Sequence, residues 1–85
     1  AARWSPLRAR LAAYILEQHE NRSTGAKGPV RLPHTREQIA RLVGAERPSV
    51  SRSLSTMARE GLIVCRGRDV GIVDRHGLVK AARSL

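Results

Sequence analysis

The chain has 85 residues, 41% of them hydrophobic, enough for one small domain with a modest core and too apolar for a disordered chain. Sixteen Lys and Arg against seven Asp and Glu leave a formal charge of +9, and fourteen of the sixteen are Arg. One cysteine excludes an internal disulfide and a multi-cysteine metal site, and no apolar run approaches the ~18–20 residues needed to cross a bilayer.

Ser5-Pro6 reads as a helix cap followed by a first-turn proline. Leu7, Leu11, Tyr14 and Ile15 then share one helical face, which predicts a helix to about Glu20. Residues 21–29, polar with two Gly and a Pro, form a loop, and Val30-Arg31-Leu32 a short strand ended by Pro33. Thr35 and Gln38 have the spacing of a capping box, and Ile39, Leu42 and Val43 supply the apolar face of a short second helix. Gly44 is placed to stop that helix with a left-handed residue. Pro48 fits the first position of a third helix, whose apolar side is Val50, Leu54, Met57 and Ala58, with Gly61 at its end. "LIVCR" and "VGIVD", separated by Gly67-Arg68-Asp69, predict a β-hairpin. Asp74 caps a last helix with Leu78, Val79 and Ala82 inward, weakened by Gly77.

Two short helices joined through a glycine-containing turn describe a helix-turn-helix rather than a generic helical hairpin. Ala40 is small where the two helices must approach, Gly44 opens the turn, and Val50 plugs the second helix of the pair onto the first. On a wheel of about 100° per residue, Pro48, Arg52, Ser55 and Arg59 lie opposite Val50, Leu54 and Met57, with Ser49, Ser51 and Thr56 on the flanks. No acid occurs between Arg47 and Arg59, whereas a merely solvated helix face mixes both signs. Such a face fits a DNA major groove, where guanine O6 and N7 meet an arginine fork. A strongly basic, arginine-dominated domain points to nucleic acid, the alternative being only a soluble positive surface.

Phosphate or flanking contacts are expected from Thr35 and Arg36, where the second helix offers free N–H groups, and from Pro48, Ser49 and Ser55. Arg66 and Arg68, at the hairpin tip, form a wing along the backbone or are plain surface arginines. Nothing points to an enzyme. His19, His34 and His76 are scattered without metal-ligand spacing, no serine sits in a nucleophile elbow, and Cys65 falls in a strand, where an inert thiol is expected.

The segments "LPHTREQIARLVGAERPSVSRSLSTMAREGLI" and "GIVDRHGLVKAA" resemble the C-terminal DNA-binding domain of the CRP/FNR family of bacterial transcription regulators. The match runs through Leu32, Pro33, Thr35, Ile39, Ala40, Gly44, Arg47, Ser49, Val50, Ser51, Arg52, Leu54, Gly61, Leu62 and Ile63, and the resemblance covers about residues 6–83. It implies an α+β winged helix-turn-helix: a three-helix core, a small antiparallel hairpin wing and a C-terminal helix. It also implies double-stranded DNA with a palindromic operator, a homodimer in the full-length protein, and RNA polymerase as a further partner. By resemblance, Arg52 takes the place of an arginine that reads a guanine, Arg47 that of a second arginine on base or phosphate, and Ser51 that of a serine touching the adjacent bases. The family commonly has Glu where this chain has Pro48, so the half-site preference does not carry over. The resemblance makes residues 1–85 a single domain, expected to be a fragment without the sensor domain and dimerisation helix. No cofactor is expected in it, and the expected compartment is the cytoplasm.

Two other readings remain: a basic RNA-binding or ribosome-associated domain, and a winged helix for protein–protein contact. RNA binding favours exposed aromatics for stacking, and this chain has only Trp4 and Tyr14, the latter at core spacing. Protein contact alone would not call for Arg47, Arg52, Arg66 and Arg68.

Overall fold

A computed structural model describes residues 6–22 and 28–83. Along the chain run α1 (Pro6–Glu20), β1 (Val30–Arg31), α2 (Arg36–Val43), α3 (Arg47–Arg59), β2 (Ile63–Arg66), β3 (Asp69–Ile72) and α4 (Arg75–Ala82). This is the winged helix-turn-helix anticipated from the sequence. The expected cap at Ser5 lies outside the described residues.

The core is aliphatic, as a chain with no Phe must make it. Leu11 and Ile15 of α1, Leu32, Ile39 of α2, Val50 and Met57 of α3, Val70 of β3 and Leu78 of α4 are fully buried in it. Tyr14 is buried with them, while Leu7 packs only partly against the cluster. Helix α1 lies against α4, α3 and α2, so it is the platform on which the helix-turn-helix sits.

The capping box of α2 forms as its spacing predicts. The Gln38 N–H donates to Thr35 Oγ1 at 3.1 Å, and the Thr35 N–H donates to Gln38 Oε1 at 2.8 Å. Gly44 closes the helix at φ 73°, a left-handed conformation in which a side chain would strain the backbone. Arg10 of α1 supplies what no local signal announced: its Nη1 donates to the Val43 carbonyl at 3.0 Å, partnering a carbonyl that the ending helix leaves free. Leu42 does not join the apolar face and is 60% exposed. The buried stripe is Ile39, Ala40 and Val43, and Leu42 is turned about 100° from its centre at helical pitch.

In α3 the cap is Glu46, without a side-chain cap bond, and Arg47 begins the helix. Pro48 is therefore its second residue, not its first. The cost is still small, because first-turn N–H groups have no acceptor within the helix.

The hairpin is part of a larger sheet. Strand order is β1-β3-β2, all antiparallel, with Val30 opposite Val70, Cys65 opposite Val70 on the other side, and Arg66 opposite Asp69. Only Gly67 and Arg68 separate the strands, and Asp69, expected in the turn, already belongs to β3. Beyond β1 the pairing continues through Leu32 and Arg68. The Leu32 N–H donates to the Arg68 carbonyl at 2.7 Å, and Arg68 Nε donates to the Leu32 carbonyl at 3.1 Å.

Asp74 caps α4 by accepting the Gly77 N–H at 2.9 Å. Gly77 sits at a close approach: a Cβ there would lie 2.5 Å from Asp74 Oδ2 and 2.8 Å from Leu62 Cδ2, so one of those side chains would have to shift. The inward residues of α4 are Leu78 and Ala81, with Val79 and Ala82 half-buried rather than central.

Candidate nucleic-acid interface

Ala40, Gly44 and Val50 hold the two helices of the motif together as their spacing requires. Ala40 is buried at the approach, Gly44 turns the chain, and Val50 is fully buried. With Leu54 and Met57 also buried, one side of α3 is committed to the core and its rotation about its own axis is set.

The opposite side is open. Arg47, Pro48, Ser51, Arg52, Ser55 and Arg59 are exposed, and Ser49, Ser53 and Thr56 are half-buried. Across α3 the charged side chains are all arginines, with Glu46 and Glu60 at its ends. The hydroxyl of Thr56 folds back along the helix and donates to the Arg52 carbonyl one turn earlier at 3.0 Å. One flank of α3 borders a shallow cleft shared with α1, lined by Leu7, Arg8, Ser49, Arg52, Ser53 and Thr56. Arg8 is ion-paired there with Glu60. Its place beside the α3 face was not legible in the sequence, because α1 and α3 meet only through tertiary packing.

The flanking residues divide into free and engaged groups. Arg66 is exposed near the hairpin tip. Thr35 is exposed, but its hydroxyl oxygen already accepts from Gln38. Arg68 is half-buried, with Nε held by the Leu32 carbonyl. Arg36 turns toward the wing: its Nη2 donates to the Gly67 carbonyl at 2.6 Å and lies 3.2 Å from Cys65 Sγ. Arg31, across the sheet, pairs loosely with Asp69 at 3.7 Å.

Beneath this region the Tyr14 hydroxyl lies 2.7 Å from His34 Nδ1. Burial pushes the Tyr14 phenol above its ordinary value, the nearby Arg36 and Arg68 charges pull it back, and Glu17 adds to the rise. His19 is buried on α1 with Nδ1 against the Ile15 carbonyl at 2.9 Å, and His76 is exposed on α4. Among the described residues no three His, Cys, Asp or Glu side chains gather as metal ligands, and no helix is long and apolar enough to cross a membrane.

The family described as the Crp-like helix-turn-helix domain matches residues 9–81. A CRP-like cAMP-activated global transcriptional regulator of Mycobacterium tuberculosis is 37% identical over 76 residues, which make up 87% of this chain and 34% of that protein. The chain thus spans about a third of the length of the curated relatives it matches. Among solved structures, FixK2 of Bradyrhizobium japonicum superposes with a TM-score of 0.81 at 25% identity, over 99% of this chain and 41% of that one. A CRP-family transcriptional regulator of Thermus thermophilus superposes with a TM-score of 0.74 at 34% identity, over 92% and 40%.

Proposed function

The chain belongs to the Crp-like helix-turn-helix family, the sequence-specific DNA-binding part of a transcription regulator, and from that premise we propose how its surfaces divide the work. Helix α3 lies in the major groove. Arg52 reads a guanine through its fork, Arg47 contacts a base or phosphate beside it, and Ser51 approaches the neighbouring bases. Ser49, Ser55 and Thr35 line the path of the backbone, and Arg66 and Arg68 carry the wing along the adjoining phosphates.

One observation carries this reading. The buried stripe of Val50, Leu54 and Met57 leaves α3 a single outward face, and that face holds Arg, Ser and Pro without a carboxylate. Arginine forks on such a face can meet guanine O6 and N7, and its positive charge suits the phosphates that flank the groove.

The longer protein binds a palindromic operator as a homodimer, each copy placing one α3 in a half-site. Any effector is bound outside these residues, RNA polymerase is a further partner, and the compartment is the cytoplasm. Selection from a randomised duplex library with the 85-residue chain tests the central claim. A recurrent half-site should emerge, with duplex DNA bound more tightly than structured RNA or single strands at matched salt. Tighter binding to structured RNA would favour an RNA-binding domain instead.

A further inference from the structure

The orientation of Arg36 does not suit the phosphate contact that its position at the start of α2 suggests. Its backbone is fixed by the capping box immediately before it. Its Nη2 is engaged by the Gly67 carbonyl and Cys65 Sγ. Its Nη1 is shielded from water and has no hydrogen-bond partner among the described residues. A two-pronged grip on a phosphate takes two outward N–H groups, both Nη or Nε with Nη2. The exposed Arg66 can offer them, whereas Arg36 has Nη2 engaged and Nη1 shielded and cannot without releasing the wing.

We infer that Arg36 is a positioning residue: it ties the tip of the wing to the helix-turn-helix so that Arg66 meets the DNA backbone when α3 lies in the groove. The inference rests on the DNA reading above. The linkage has three joints. Helix α3 packs on α2, with Val50 and Leu54 in the same buried cluster as Ile39, Ala40 and Val43. Arg36 opens α2 and crosses to the wing, where the bond from a guanidinium to a carbonyl is charge-assisted. The carbonyl it holds belongs to Gly67, between Arg66 and Arg68. Displacing Arg36 removes the direct tie between α2 and the turn, leaving the turn held by strand pairing and by the Leu32–Arg68 bonds.

A double-mutant cycle on a mixed-sequence duplex of about 30 base pairs, titrated over a salt series, separates positioning from direct contact. Arg66→Ala should lower the slope of log K against log salt by about 0.9, the share of one phosphate. Arg36→Met should lower it by a similar amount, and the double variant no further. An additive loss of about 1.8 in the double variant gives Arg36 its own phosphate and overturns the inference. So does a wild-type slope in Arg36→Met. A measurement on the unsubstituted chain guards against a misfolded variant: the through-hydrogen-bond NMR coupling between Arg36 Nη2 and the Gly67 carbonyl should persist when the duplex is added. Its loss on DNA also overturns the inference. If Arg66→Ala keeps the full slope while the coupling persists, the wing's place on DNA fails, and the inference falls with it by a different signature.

Discussion

The Tyr14 hydroxyl meets His34 Nδ1 across 2.7 Å, joining the buried face of α1 to the residue that precedes the capping box of α2. The ring centroids are 5.7 Å apart and tilted, so the pair is also a packing contact. It fixes where α2 starts relative to the platform beneath it.

Removing that hydroxyl should cost about 1 kcal/mol, the usual net worth of such a bond. Tyr14→Phe keeps the ring and isolates this term. Because burial raises the phenol above its ordinary value, the folded chain holds the proton more tightly than the unfolded one. The resulting stability is full below the unfolded tyrosine value of about 10 and is lost as pH rises through the folded titration. Urea midpoints should therefore fall more steeply above about pH 10 in the parent chain than in Tyr14→Phe. Equal alkaline slopes in the two would show that Tyr14 titrates alike in both states.

Arg52→Ala should weaken binding to the selected half-site by about 1–3 kcal/mol and relax preference at one guanine. Competition with duplexes substituted at that position reads the preference directly. A loss shared equally by all sequences would demote Arg52 to a phosphate contact.

Arg68→Ala should act differently. All duplexes should weaken alike, with a salt slope lower by about 0.9. The thermal midpoint should also drop, since Nε no longer holds the Leu32 carbonyl. A lower midpoint with an unchanged slope would make Arg68 purely a tie between β1 and the turn.

Gly77→Ala sets propensity against packing. Helix propensity alone would favour alanine by about 0.8–1 kcal/mol. The added Cβ, however, would fall 2.5 Å from Asp74 Oδ2 and 2.8 Å from Leu62 Cδ2. We expect a net destabilisation of about 1–3 kcal/mol by urea unfolding. A stabilised variant would mean that the Asp74 cap and Leu62 shift aside at little cost.

Features with local causes were legible in the sequence. Thr35 with Gln38, Gly44, and Asp74 each act within a few residues of themselves, and each does what its spacing predicted. The apolar stripe of α3 was legible for the same reason. Leu42 was not, because an eight-residue helix has room for only one narrow buried stripe and Ile39, Ala40 and Val43 fill it. Gly77 looked like a weakness, since propensity is local and the approach of Leu62 is not. Arg10 on the Val43 carbonyl, Arg8 on Glu60 and Arg36 on the Gly67 carbonyl all join residues far apart in sequence. Arginine type and charge marked these residues as basic surface, and only the fold assigns several of them to holding the domain together.

The pairing of Val30 with Val70 has a mechanical meaning. Both helices of the motif and β2 lie between those two residues, so the sheet fastens the two ends of the segment side by side. A load applied to α3 returns to the body through a closed frame, by way of β1 at one end and β3 at the other. The helix proposed to read DNA is therefore carried on a segment fastened at both ends, like a clamped beam, in addition to its packing on α1 and α2.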